Sequence, residues 1–212
     1  MGCCTPSGYD RFFGAKLARR DARRYRRNGL DDTGRWLADQ AIAAGVEGAT
    51  VLEAGGGVGA IQLELLKAGA SRTTNVELSP EYEEQATALA AELGLEGRSD
   101  RLVGDFVRED VGDADVVVLH RVVCCYPDYD ALLGAAVART RRVLVFSHPP
   151  GHALARVAVR GINVVLRLMR QEFRSYVHPP EAMRAVVERG GLRLVNERRG
   201  KIWRGLSFVR VS

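Results

Sequence analysis

The sequence predicts an α/β fold in which helices cover both faces of a mostly parallel sheet. Three observations carry this reading. From Thr50 onward, short apolar runs alternate with longer stretches of helical period. Several glycines, Gly55-Gly56-Gly57-Val58-Gly59, stand where the first apolar run gives way to a helix. Acidic residues recur at or just after the ends of successive runs, as Glu53, Glu77 and Asp105.

Residues 1–30 read as a basic, partly amphipathic arm, with Tyr9, Phe12, Phe13, Leu17 and Tyr25 spaced loosely as on a helix among Arg19, Arg20, Arg23, Arg24, Arg26 and Arg27. Asn28-Gly29 closes it. A second helix is expected from about Asp32, taken as its N-cap, through Trp36, Leu37 and Ile42 to a stop at Gly45. Strands are expected at residues 50–53, 73–77, 101–103, 114–119 and 142–147, with helices at 61–68, 80–93 and 129–138 between them. His148-Pro149-Pro150-Gly151 then breaks the alternation, and a long helix from about His152 to Phe173 follows, apolar on one side and carrying Arg156, Arg160, Arg167 and Arg170 on the other. Residues 149–178 therefore form a helical insertion after the fifth strand. His178-Pro179-Pro180 opens a helix ending at Gly190-Gly191, and two apolar runs, 192–198 and 206–211, close the chain as a pair of strands.

With 212 residues, 46% of them hydrophobic, the chain can bury one sizeable core and is short for two, so one domain over 1–212 is expected. The net charge is +5, but lysine occurs only as Lys16, Lys67 and Lys201, so 28 of the 31 basic residues are arginine. That skew fits a GC-rich bacterial genome and weakens any argument for nucleic acid from charge by itself. No apolar run reaches the roughly 18 to 20 residues of a membrane span, and no signal segment opens the chain, so a cytoplasmic location is expected. Met1-Gly2-Cys3-Cys4-Thr5-Pro6 has Pro6 where a myristoylation signal needs Ser or Thr. The cysteines form two adjacent pairs, Cys3-Cys4 and Cys124-Cys125, without zinc spacing, so reduced thiols and no metal are expected.

Glycines at a strand-to-helix turn let the backbone approach a ligand, and the helix N-terminus offers N–H groups to it. Gly55-x-Gly57-x-x-Ala60 satisfies the dinucleotide pattern, which keeps an NAD(P)-dependent oxidoreductase open. Glu53 argues against it. A carboxylate two residues before the first glycine suits the ammonium of an S-adenosylmethionine molecule and would repel a pyrophosphate. Glu77, about 20 residues farther on, stands where an acidic side chain meets ribose hydroxyls. Gly104-Asp105-Phe106 offers an acceptor for an adenine amino group and an apolar surface for its ring.

Through Glu53 to Gly59, Glu77, Gly104-Asp105-Phe106 and 115–120, the chain from about residue 32 to 212 resembles the class I S-adenosylmethionine-dependent methyltransferases. The resemblance implies a three-layer, Rossmann-like fold with a seven-stranded sheet whose last strand is antiparallel. It also implies a cofactor held by Glu53, Ala54, Gly55, Gly57, Gly59, Glu77, Leu78, Asp105, Phe106 and His120. A narrower likeness, to magnesium-protoporphyrin methyltransferases, rests on the aromatic arm, the insertion and Cys124-Cys125-Tyr126-Pro127, where Cys125 stands at that family's histidine.

Methyl transfer needs an aligned nucleophile and little water, and a base only when the acceptor starts protonated. His120 and Tyr126 are the candidates for that work, with Arg121, Cys125 and His148 behind them, while His178 reads as a loop residue that the insertion would bring near the pocket. No Asn-Pro-Pro-Tyr or Asp-Pro-Pro-Tyr follows the fourth strand and no Pro-Cys pair is present, which disfavours DNA bases as acceptors. A small-molecule acceptor, methylated at oxygen, is expected. The arginine-rich arm keeps RNA open, and the apolar stripe of the long helix suits either a cover over the site or a homodimer contact.

Overall fold

The computed structural model describes residues 12–211. Tyr9 and the Cys3-Cys4 pair lie outside the described residues. Seven helices, α1 (Ala15–Asn28), α2 (Asp32–Ala43), α3 (Ala60–Lys67), α4 (Glu83–Glu92), α5 (Tyr129–Arg139), α6 (Ala153–Leu168) and α7 (Pro180–Arg189), surround one sheet among the described residues. Its strands are β1 (Thr50–Ala54), β2 (Arg72–Glu77), β3 (Ser99–Val103), β4 (Ala114–Leu119), β5 (Thr140–His148), β6 (Leu192–Arg199) and β7 (Arg204–Arg210). The spatial order is β3-β2-β1-β4-β5-β7-β6. Strands β1 to β5 pair in parallel, and β7 runs antiparallel to both β5 and β6. The expected sheet, with its antiparallel last strand, is the observed one.

The period-2 pattern of strands explains the layering. In β4 and β5, Val116, Val118, Val143 and Val145 face one way, into a core with Leu37, Ile61 and Leu89 of α2, α3 and α4. Val117, Leu119, Leu144 and Phe146 face the other way, against Leu132 of α5 and Met183 of α7. Burial on both faces is why these strands read as unbroken apolar runs. Each such side chain contributes roughly 1.5 to 3 kcal/mol by leaving water.

Strand order reverses between β1 and β4, and a crevice outside the carboxyl ends of strands at such a switch point is where open α/β sheets bind ligands. Register places the relevant ends side by side: Ala54 pairs with Val76 on one side and Leu119 on the other, and Glu77 pairs with Val103.

Among the boundaries that differ from expectation, two have a clear local cause. Asp31, not Asp32, caps α2, because its extended backbone lets Oδ1 accept from the Thr33 and Gly34 N–H groups at 3.0 and 2.9 Å. The long helix ends at Leu168 rather than Phe173. Arg170 takes a left-handed φ of 56°, its N–H reaches the Arg167 carbonyl and that of Gln171 the Leu166 carbonyl. This is a Schellman ending with Arg in the usual Gly position, so sequence pattern offers no stop signal.

Helix α6 also does not form the apolar wall that its pattern implied. Leu166 is buried, but Val157, Ile162, Val165 and Met169 are 52 to 62% exposed and no residue of α6 lines the main cavity. Among the described residues, no helix is long and apolar enough to cross a membrane.

Candidate active site

A cavity of about 260 Å³ opens at the carboxyl ends of β1, β2 and β4. Glu53, Ala54, Gly55, Gly57, Glu77, Leu78, Asp105, Phe106, His120 and Tyr126 all line it. Gly59 of the expected set does not; at φ 75° it is the N-cap of α3. His148 and His178 also lie outside the lining. Their ring N–H groups go to the carbonyls of Pro149 and Tyr126, at 2.8 and 2.9 Å.

The glycine loop is held by side chains from β2. The Gly56 N–H donates to Asn75 Oδ1 at 3.0 Å and the Gly57 N–H to Glu77 Oε2 at 2.9 Å. These two bonds shape the loop. Arg101 of β3, which the sequence reading passed over, donates from Nη2 to the Gly57 carbonyl at 3.0 Å and from Nε to Glu83 at 2.8 Å.

Glu53 is 2% exposed, and its Oε2 has no hydrogen-bond partner. Burial pushes its carboxyl up to about 7, against the Gln62 N–H and the charge of Arg101, while the neighbouring Glu77 adds to the rise. Burial likewise raises Glu77, although the N–H groups of Ser79 and Gly57 resist it. The loop must pass very close to Glu53: a Cβ on Gly56 would sit 2.6 Å from Glu53 Oε2 and 2.9 Å from Asn75 Nδ2. Gly56→Ala is therefore expected to destabilise the fold by about 1 to 3 kcal/mol, the cost of overpacking. Urea denaturation measures it, and an unchanged midpoint would show that the loop yields.

At the other wall, a chain of hydrogen bonds joins three elements. The Arg121 N–H donates to Ser147 Oγ at 2.9 Å, and Ser147 Oγ is 3.1 Å from His120 Nδ1. Nε2 of His120 lies 3.4 Å from Asp31 Oδ2. Because Asp31 can only accept, Nε2 carries the proton and Nδ1 accepts from the Ser147 hydroxyl. Burial holds the His120 pKa below its ordinary value despite Asp31, so the ring is neutral at neutral pH. For Asp31, burial is outweighed by hydrogen bonds from His120 and Gly34 and by the Arg121 charge, which hold its carboxyl well below the usual range. Arg121 Nη2 meets Asp31 Oδ2 at 2.7 Å, and its guanidinium lies over the Trp203 ring, 5.1 Å from the centroid.

On the adenine side expected from sequence, the Tyr126 hydroxyl donates to the Asp105 carboxylate at 3.2 and 3.3 Å, and Asp105 Oδ1 also accepts the Val107 N–H at 3.0 Å. Phe13 enters the lining from the arm. It meets Phe173 of the insertion edge-on at a centroid distance of 5.1 Å, while Phe12 stacks on Phe173 at 4.4 Å. Arm and insertion thus clasp over the sheet edge through three phenylalanines, in place of the α6 stripe. Cys125 also lines the cavity, its Sγ 3.6 Å from that of Cys124.

Residues 52–145 match a family model described as a methyltransferase domain. No curated protein sequence matches the chain. Among solved structures, the magnesium protoporphyrin IX methyltransferase of Synechocystis with bound S-adenosylhomocysteine superposes with a TM-score of 0.68 at 22% identity, over 84% of this chain and 82% of that one. A TehB-like S-adenosylmethionine-dependent methyltransferase of Corynebacterium glutamicum gives 0.64 at 19% identity, over 93% and 98%. A sarcosine dimethylglycine methyltransferase described from Galdieria sulphuraria gives 0.67 at 14%, over 84% and 85%. At these identities the structural likenesses speak for the fold, while the family match speaks for the domain. Residues 52–145 thus resemble a methyltransferase domain, and they sit on a fold shared with solved S-adenosylmethionine-dependent methyltransferases.

Proposed function

We propose that the protein methylates an oxygen of a small-molecule acceptor, with the cofactor lying across the carboxyl ends of β1, β2 and β3. Glu53 faces the cofactor's ammonium, Glu77 the ribose hydroxyls, and Asp105 with Phe106 the adenine. The observation that carries this is the buried, unpartnered Oε2 of Glu53 beside the cavity, which a cationic group satisfies and a pyrophosphate would not. Solved neighbours include an O-methyltransferase family 2 protein of Planctomyces limnophilus in complex with apigenin, which supports oxygen as the acceptor atom.

The bound cofactor supplies an activated methyl group, so the chain's task is alignment and exclusion of water. Both ring nitrogens of His120 are engaged by Asp31 and Ser147, and the Tyr126 hydroxyl is committed to Asp105. In our reading His120 fixes Asp31 and Arg121 rather than taking a proton, and Tyr126 holds the wall at Asp105. An acceptor oxygen that arrives deprotonated suits such a site. The phenylalanine clasp supplies the cover. Phe13→Ala with Phe173→Ala is expected to lower kcat by about tenfold or more through admitted water and lost alignment, while cofactor affinity changes little. Steady-state kinetics alongside calorimetry separates the two, and an unaltered kcat would remove the clasp from catalysis.

A thermal-shift series with S-adenosylmethionine, S-adenosylhomocysteine, NAD and NADP tests the cofactor, because a ligand bound only by the native state raises Tm. A shift with either adenosyl compound and none with the dinucleotides is expected. The reverse pattern would transfer the site to a nicotinamide-dependent oxidoreductase.

A further inference from the structure

Arg20, Arg23, Arg24 and Arg27 recur at the spacing that sets them on one face of α1. With Asn28 they line a shallow groove. A second groove continues from it, lined by Arg24 and Asn28 through Asp32, Thr33 and Arg121. That second groove shares Arg24, Leu30, Asp31 and Arg121 with the main cavity. An arginine-lined path therefore runs from the helix surface to the cavity mouth.

Positive charge on this path exceeds what the protein neutralises. Arg24 and Arg121 share one carboxylate, Asp31, at 3.5 and 2.7 Å. Arg20 reaches Asp21 at 3.7 Å, and the Arg23 Nε donates to the Arg19 carbonyl. Arg121 adds a second, independent sign of a ligand. Its backbone sits at φ 62°, a left-handed conformation that is strained for a non-glycine residue and persists where the surroundings hold it. Ser147 accepts its N–H, Trp203 and Asp31 fix its guanidinium, and its buried Nε has no partner. A half-exposed guanidinium held in place at the point where groove and cavity meet fits anionic oxygens of a ligand.

We propose that the methyl acceptor carries a chain of anionic oxygens, phosphate or carboxylate, which lies along Arg20, Arg23, Arg24 and Arg27 and passes its reacting end by Arg121 into the cavity. The reacting end rests on the methyl-transfer reading above; the anion path does not.

Calorimetry on the protein saturated with S-adenosylhomocysteine tests this, with tripolyphosphate and citrate as probes in dilute salt, for the wild type, Arg23→Gln/Arg27→Gln and Arg121→Gln. At least one probe is expected to bind, and to bind about tenfold or more weakly in each variant, the scale of lost charge-assisted hydrogen bonds. Affinity for S-adenosylhomocysteine is expected to stay within about twofold in Arg23→Gln/Arg27→Gln, which also shows that this variant is folded. Preference for tripolyphosphate assigns a phosphate tail and preference for citrate a carboxylate one. The proposal is overturned if neither probe binds, if the variants bind as the wild type does, or if the probes displace S-adenosylhomocysteine, which would give the arginines to the cofactor. A single-stranded RNA 20-mer that binds about a hundredfold more tightly than tripolyphosphate, with a steep salt dependence, overturns it in favour of nucleic acid. Failure of S-adenosylhomocysteine to bind the wild type sinks the cofactor reading instead, and the probes are then titrated against the free protein.

Discussion

Glu53→Gln is expected to stabilise the cofactor-free protein by about 3 kcal/mol at pH 8 and to cost it most of its affinity for S-adenosylmethionine. Folding buries a carboxyl whose pKa rises from an ordinary 4.5 to about 7. Between those values the folded state keeps a proton that the unfolded state has shed, so stability falls as pH rises through the window. Below about 4.5 there is no penalty, and above 7 all of it is present; at 1.36 kcal/mol per pKa unit it comes to about 3 kcal/mol. The amide of Gln carries no such charge, so the variant's stability should be nearly level where the wild type declines. A cationic group placed beside Glu53 reverses the preference for the proton. Cofactor binding by the wild type should therefore tighten between pH 6 and 8 and release protons below pH 7. Glu77, also raised by burial, and Arg101, which pulls both carboxyls down, share this pH dependence, so Glu77→Gln is the matching control. Urea denaturation at several pH values, with calorimetry in two buffers of different ionisation heat, reads both effects. A wild-type stability that does not change from pH 5 to 8 would refute the buried-charge account.

The framework was legible because its signals are local. Residues 114–119 read as a strand from composition and are β4 to the residue, since burial on both faces demands an unbroken apolar run. Gly55, Gly57 and the carboxylates Glu53, Glu77 and Asp105 line one cavity because strand ends on one sheet edge are neighbours by topology. Less legible were contacts that depend on how layers stack. Arg101 looks like an ordinary strand residue, yet its guanidinium crosses the end of β2 to the Gly57 carbonyl. Ser147, the penultimate residue of β5, gave no sign that it would join Arg121 to His120. Helical period continues past Leu168 in the sequence while Arg170 ends the helix, so the side chain that meets Phe12 and Phe13 of the arm is Phe173.

Asp31 is the clearest case of a site residue hidden behind an ordinary local role, and Asp31→Asn separates the two. Oδ1 caps α2 through Thr33 and Gly34, while Oδ2 meets Arg121, His120 and Arg24. Asn caps a helix about as well as Asp, so the cap survives and only the charge is lost. Stability at pH 7 is expected to fall by about 1 to 2 kcal/mol, the scale of charge-assisted hydrogen bonds in a mostly buried setting. Asp31→Ala should lose about 1 kcal/mol more, the worth of the cap. The sign of the pH effect follows from a carboxyl held below its ordinary value: its contribution is complete above about pH 4 and fades as acid protonates it, so wild type and Asp31→Asn should converge in strong acid. Catalysis should suffer more than folding. Without its counter-ion, Arg121 is no longer fixed at the cavity mouth, and His120 loses the partner that sets its tautomer. We expect kcat/KM for the acceptor to fall by about ten- to a hundredfold, as when positioning is lost, with S-adenosylhomocysteine affinity nearly unchanged. An Asp31→Asn protein that is destabilised as expected yet turns over its acceptor at the full rate would leave Asp31 a helix cap and nothing more.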